Sequence, residues 1–432
     1  MTVELEAIAR SAAAGVNPER RWGRVGAIEG GLIRIGGLGG AARVGDMIEI
    51  DGAPAGEIIA IDGAHALALP FAALSAIAVG VRAFAKPDGE ARPSRAWLGR
   101  VINAFGAGID GAPSPKGERA MPLSAPPLPV RDRRGIGARL NTGLAAFDTF
   151  LPLCRGQRIG LFSGSGVGKS TLLADLATGM ETDVVVLALI GERSREVREF
   201  VEETLGPEGR KRAVVVVSTC DEPAPAKRRA ALLAMTTAEY FRDLGLQVLL
   251  LFDSVTRFAD AHREIGLSAG ETPSLRAYPP STARTVAALA ERAGPGAGSG
   301  GDITAVFSVL VAGSDMDEPV ADMMRSILDG HVVLDRAIAE RGRFPSIDIR
   351  RSVSRSLPKA ACADENELIS KGRALIAAYE DAATMIHTGL YARGSDATID
   401  RAIAVWPRLD KFIGEPSASC AGSFARLAEI VK

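Results

Sequence analysis

No stretch of this 432-residue chain is apolar for long enough to cross a bilayer. Runs such as Val248–Phe252 fall far short of the roughly 20 residues that a spanning helix needs. A basic region followed by an apolar stretch is missing from the N-terminal residues, so the expected location is the cytoplasm. Cysteine is scarce and scattered. Cys154, Cys220, Cys362 and Cys420 form none of the close pairs that zinc sites and redox motifs require, and are expected as small buried hydrophobes in a reducing compartment. Net charge is almost absent, with 51 basic against 52 acidic residues, so the overall balance demands no polyanionic partner. Aromatic residues make up 5%. Residues 1–95 hold only Trp22, Phe71 and Phe84, none in a basic and aromatic alternation, which argues against an RNA- or DNA-translocating ring.

What is present is an ordinary globular composition, 47% hydrophobic and 24% charged, at a length that suggests two or three domains. Residues 1–20 read as an N-terminal segment. Residues 21–92 contain short alternating pieces, such as Leu32–Ile35 and Met47–Ile50, bounded by Gly and Asp, and these predict a small β-barrel. Residues 93–358 read as the catalytic unit and include a proline-dense segment, 113–129, where missing backbone donors oppose both helix and inner strand. Within that unit the apolar runs Arg158–Phe162, Val184–Ile190, Val214–Val217, Val248–Phe252 and Ile303–Val311 alternate with helical stretches. Runs apolar on both faces predict an α/β domain with a parallel sheet covered on both sides. Gly294–Gly301 reads as a flexible loop. Residues 359–432 show helical spacing, for example at Leu368, Leu375, Ile376 and Tyr379, and predict a C-terminal helical domain.

Ser163-Gly164-Ser165-Gly166-Val167-Gly168-Lys169-Ser170 follows an apolar strand and precedes the helical run Thr171–Thr178. Strand, glycine loop and helix are the context of a Walker A phosphate cradle, and they read as a P-loop NTPase core, for which a RecA-like fold is the expectation. Glycines let backbone N–H groups turn in on phosphate, and the helix adds its positive end. Gly164 to Thr171 therefore form the expected ATP-binding loop, with Lys169 neutralising phosphate charge and Ser170 offering a hydroxyl to Mg²⁺. Ser163 stands where the motif has glycine. Val248–Asp253 is a buried strand ending in a carboxylate, the form of a Walker B element. Asp253 is expected to hold Mg²⁺ through its water shell, with a helix N-cap as the alternative. Glu192 follows another buried strand. If that strand neighbours the phosphate-loop strand, Glu192 reaches the ligand edge of the sheet and orients or deprotonates the attacking water; otherwise it belongs to a surface salt-bridge cluster with Arg193, Arg195 and Glu196.

Taken in order, Gly156–Gly160, Gly191–Arg193, Asp253–Arg257, Arg276–Ser281 and the decapeptide Pro345–Ser354 resemble the F-type, V-type and type III secretion rotary ATPase subunits, from about residue 20 to the C-terminus. Asp317–Asp322, Ser326–Leu334, Tyr391–Asp396 and Ala402–Pro407 look most like the type III export branch. The resemblance implies that Glu192 is the catalytic carboxylate, with Arg193 beside it. It implies that Phe344, where a tyrosine is usual in the catalytic F-type subunit, stacks on adenine, and that Arg355 is an arginine finger. Ser194 replaces a glycine common after Gly-Glu-Arg. The implied activity is Mg²⁺-dependent ATP hydrolysis energising export of flagellar proteins, with a virulence secretion apparatus, a rotary synthase and an RNA-translocating ring as alternatives. The implied partners are further copies in a homohexamer, a stalk or regulator protein, a central-stalk protein, the membrane export gate, and export substrates with their chaperones, but no nucleic acid. The implied place is the cytoplasmic side of the inner membrane, on the export apparatus.

Overall fold

The computed structural model describes residues 21–38, 42–74, 77–87, 89–311 and 316–432; the segment 1–20, expected to meet a stalk or regulator, lies outside the described residues. Six strands, β1 (Arg21–Glu29), β2 (Leu32–Gly36), β3 (Met47–Ile50), β4 (Ala53–Asp62), β5 (His65–Pro70) and β6 (Arg82–Lys86), close into a barrel in the order β1-β2-β5-β4-β3-β6. Alternation explains the closure. Ile33 and Ile35 of β2 point inward with Ile48, Ile58, Ala66 and Ala68, while Arg34 between them faces solvent. A closed sheet of this kind leaves no unpaired edge.

The proline-dense segment is strapped to its surroundings. The two-residue strands β7 (Glu90–Ala91) and β9 (Met121–Pro122) pair across it, and the Trp97 indole N–H donates to the Pro115 carbonyl at 2.9 Å. Between them β8 (Val101–Ile102) joins the edge of the large sheet.

That sheet contains β10 (Arg158–Ser163), β11 (Val184–Glu192), β12 (Ala213–Thr219), β13 (Val248–Asp253), β14 (Gly294–Pro295), β15 (Asp302–Leu310), β16 (Gly330–Leu334) and β17 (Ile347–Ser354), in the order β17-β16-β10-β15-β13-β11-β12-β8 with β14 beside β15. From β16 to β8 every pairing is parallel. The decapeptide strand β17 runs antiparallel to β16, which the pattern of apolar runs did not indicate. The continuous runs arise because alternate residues feed opposite cores. Val185, Leu187 and Leu189 enter one, and Val184, Val186, Ala188 and Ile190 the other. Helices α1 (Lys169–Gly179), α2 (Ala224–Asp243) and α3 (Val255–Ser268) each follow a strand, and α4 (Ser281–Arg292) follows α3.

Three helices close the chain, α5 (Ala363–His387), α6 (Ala397–Ile413) and α7 (Cys420–Val431). Tyr379 stacks on Trp406 at 4.1 Å, and Ile376, Leu409, Phe412 and Leu427 share a core with Phe147 and Phe150 of the catalytic unit. Two expectations change. Cys154 and Cys420 are buried, but Cys220 and Cys362 are exposed, Cys220 because it follows the C-terminal end of β12 and Cys362 because it caps α5. The glycine-rich segment is no loose loop: Gly294 and Pro295 pair with β15, and the Arg134 guanidinium donates to the carbonyls of Gly296, Gly300 and Gly301 at 3.2, 2.6 and 3.1 Å. A Cβ at Gly301 would lie 1.8 Å from the Leu246 carbonyl oxygen, so glycine there serves close backbone approach.

Candidate active site

The β10 run ends in a tight turn that hands over to α1. Gly166 (φ +75°) and Gly168 (φ +83°) occupy the left-handed region, where any side chain is strained. Ser163 is the buried last residue of β10 and lies outside that region, so its place does not require glycine. The same holds for Ser194, which opens a short helix. Gly191 does require it: φ is +74°, and a Cβ would meet the Arg257 side chain at 2.9 Å.

Lys169 projects from the start of α1 to within 2.5 Å of Asp253 Oδ1 and 3.6 Å of Glu192 Oε1. The convergence is not achieved by adjacent strands. β15 and β13 separate β11 from β10, contrary to the neighbouring arrangement on which the role of Glu192 was conditioned. The three residues meet because parallel strands end on one edge, where Leu189 of β11 sits opposite Asp253 of β13. Burial raises the Glu192 pKa above the usual carboxylate range; Lys169 opposes this, and the neighbouring Asp253 and Glu196 charges reinforce it. A carboxylate held in this way is a better proton acceptor than an exposed one.

Two openings flank Lys169. A cleft of about 1060 Å³ is lined by the phosphate loop, Glu192, Arg193, Arg257 and Asp260. A small cavity of about 160 Å³ is lined by Ser170, Glu192 and Asp253. One hydroxyl and two carboxylates beside a phosphate cradle suit Mg²⁺, which keeps several waters and takes few protein ligands. No group of three or more His, Cys, Asp or Glu able to cage a metal occurs among the described residues. The donor set thus fits a magnesium nucleotide, with Ser170 and Asp253 as the metal-side residues.

On the opposite side of the loop, Phe344 lies against Gly168, whose Cβ would meet the ring at 2.9 Å. The Ser346 hydroxyl donates to the Val167 carbonyl at 2.7 Å and ties this segment to the loop. Phe344, Pro345, Gly143, Leu144 and Gly179 line a groove of about 710 Å³ beside α1, and the ring is 51% exposed, leaving its face open to a planar base. Arg193 lines the large cleft but is exposed and paired with Glu196 at 2.7 Å.

Arg355 is not in this cleft. Leu334 of β16 pairs with Ser163 at the phosphate-loop end, whereas Gly330 at the other end pairs with Ser354. Arg355 therefore lies roughly 13 Å or more along the strand direction from its own phosphate loop, by the rise of four residues. Sequence reading assigned no role to Arg257, Asp260, Glu264 and Leu267, which line the large cleft. Their spacing of three and four residues within α3 is the signal that places them on one face.

Comparison with known proteins agrees with this geometry. Residues 143–354 match the model of the ATP synthase alpha/beta family, nucleotide-binding domain, and residues 362–428 that of the T3SS EscN ATPase C-terminal domain. The chain is 45% identical to the flagellum-specific ATP synthase of Caulobacter vibrioides, covering 96% of this chain and 97% of that protein. It is 39% identical to the one from Salmonella typhimurium, covering 91% and 89%. The solved structure of the assembled ATPase EscN from the enteropathogenic E. coli type III secretion system superposes with a TM-score of 0.86 at 37% identity, covering 95% of this chain and 100% of that one. EscN has also been solved in complex with its central stalk EscO, with the same TM-score and coverage.

Proposed function

Since the chain belongs to the flagellum-specific ATP synthases and is an ATPase of the type III secretion kind, we propose that it hydrolyses Mg²⁺-bound ATP as a homohexamer to energise export of flagellar proteins. The observation that carries the chemistry is the meeting of Lys169, Glu192 and Asp253 at one sheet edge, beside a glycine loop.

Backbone N–H groups of Gly164 to Gly168 and the start of α1 hold the phosphates, and Lys169 exchanges its carboxylate partners for them. Ser170 and Asp253 would hold the metal, which when bound would supply neutralisation of charge on the transferring phosphoryl group. Glu192 orients the attacking water and accepts its proton, a task helped by its raised pKa. Arg193, at the mouth of the cleft, adds positive charge near the phosphates. Phe344 stacks on the base. Arg355 lies at the far end of the β16–β17 ladder from its own phosphate loop, so as a finger it serves the next copy in a head-to-tail ring.

The assembled EscN structure and its complex with a central stalk support a ring and a stalk partner for this chain as well. Residues 1–20 are assigned to a stalk or regulator contact, and the membrane export gate, export substrates and chaperones complete the partner set. The chain is placed on the cytoplasmic face of the inner membrane, and no helix among the described residues is long and apolar enough to cross it. A flagellar relative at 45% identity over nearly the whole chain, against 37–39% for the solved ATPases of pathogens' type III secretion systems, favours flagellar export over a virulence apparatus.

The decisive experiment mixes two inactive variants. Arg355→Ala and Lys169→Ala should each fail alone, and mixed rings should regain turnover at interfaces that join the intact Arg355 of one chain to the intact Lys169 of the other. Absence of recovery in rings shown to contain both chains would refute the trans arrangement.

A further inference from the structure

Away from the nucleotide cleft, a cavity of about 580 Å³ opens where the barrel, the proline-dense segment, α2, α3 and α4 meet. Its wall is cationic, with Arg228 and Arg229 from α2 and Arg284 and Arg292 from α4; Glu57 of β4 is the one carboxylate lining it among the described residues. Arg229 lies over the Phe105 ring at 5.1 Å, and two of the other charges are ion-paired. Arg228 is ion-paired with Glu57, and Arg292 grips Glu239 at 3.0 and 2.6 Å. Arg284 is exposed and has no ion-pair partner among the described residues.

Between the cations sits His262, 8% exposed. Its Nε2 lies 2.9 Å from Ser281 Oγ and 3.3 Å from Thr285 Oγ1, and its buried Nδ1 has no hydrogen-bond partner. Burial first and Arg228 next push the imidazole pKa down to about 4, with Arg284 adding to them and Glu271 opposing. The Ser281 hydroxyl donates to Glu271 at 2.8 Å, so Nε2–H points at Ser281 and the neutral ring leaves Nδ1 without a proton; an anion beside Arg284 would draw a proton onto Nδ1 and accept from it.

We propose that this cavity binds a small phosphate-bearing anion, held by the Arg228 and Arg284 guanidinium groups and the Thr285 hydroxyl, with His262 against it. Guanidinium forks match phosphate oxygens in planar, bidentate fashion, and the volume is that of a small-molecule pocket rather than of a bare ion. Arg228 is shared between the site and Glu57 of the barrel, so an occupant draws it away from the contact joining barrel and catalytic unit. None of these residues lines the nucleotide cleft, so the proposal stands apart from the reading of that cleft.

The chain has only four histidines, so imidazole NMR signals of the full-length protein are few enough to assign, with His262→Gln identifying the relevant one. Inorganic phosphate and glucose 6-phosphate are titrated at constant ionic strength into full-length Lys169→Ala protein, which disables the phosphate loop. The His262 signal should move saturably, and its pKa should rise from about 4 as the anion offsets the arginine charges. Arg284→Ala, on an exposed side chain, should keep the circular dichroism spectrum and weaken binding about tenfold or more. Tighter binding of glucose 6-phosphate identifies a phosphorylated metabolite as the occupant, and tighter binding of phosphate the free ion. The proposal is overturned if neither compound gives saturable movement, if chloride gives the same movement, or if Arg284→Ala binds as well as the parent.

Discussion

Lys169 sits between two carboxylates, so single side chains at this sheet edge should decide turnover. Lys169→Ala and Asp253→Ala should each abolish steady-state ATP hydrolysis while leaving the circular dichroism spectrum intact; turnover at the parental rate in either would remove that residue from the machinery. Glu192 gives a sharper test because its pKa is raised in the fold. The single-turnover rate should fall as pH drops through a midpoint above the usual carboxylate range, and Glu192→Gln should bind Mg²⁺-ATP without hydrolysing it. A raised carboxyl pKa also means that the group's contribution to stability is complete at low pH and is lost as pH rises through the folded value. Glu192→Gln, always neutral, should therefore melt at a higher temperature than the parent at pH 7, and the gap should close in acid. An equal or lower melting point at pH 7 counts against the burial argument. That Lys169 and Asp253 would meet was legible in the sequence because strand, loop and helix surround them, whereas the residues alone left Glu192 open between this edge and a surface salt bridge. The route by which Glu192 reaches Lys169 was not legible, because strand order is a long-range property and β15 and β13 intervene.

Elements were legible where burial imposes a pattern. Alternation in β2 and β3 announced the barrel, and apolar runs announced β10, β11, β12, β13 and β15 because both of their faces are covered. The pattern gave no sign of β17 as an antiparallel strand, since half of its residues face outward and break any apolar run. Composition also misled at Gly294–Gly301, where glycine serves close contact rather than freedom. The difference is measurable. Gly301→Ala should destabilise the protein by about 1–3 kcal/mol as an overpacked position, whereas Gly298→Ala, with nothing within 4 Å of its Cβ, should cost only the left-handed penalty of about 1–2 kcal/mol. Equal denaturation midpoints for Gly301→Ala and the parent would show that this segment is loose after all.

At the scale of the whole molecule, one core runs from the sheet into the C-terminal helices, so the catalytic unit and that helical region are packed as a continuous body. Folding also gathers Arg24, Arg34 and His65 around the exposed Trp22 on the barrel, a grouping invisible in linear order because the residues come from three strands. An electrophoretic shift of the full chain with single-stranded RNA at physiological salt would contradict the assignment to protein export without nucleic acid. The placement of Arg355 at the far end of the β16–β17 ladder from the phosphate loop has an arithmetic consequence for mixed populations. If, as proposed, each catalytic junction draws its cradle from one chain and its finger from another, a chain carrying both Lys169→Ala and Arg355→Ala disables two junctions rather than one. If junctions act independently, rings doped to one half with that double variant should retain about a quarter of parental turnover, while doping with either single variant should leave about half. Dominance of the double variant over the singles, read as a squared rather than linear dose curve, follows from where one arginine lies on one strand.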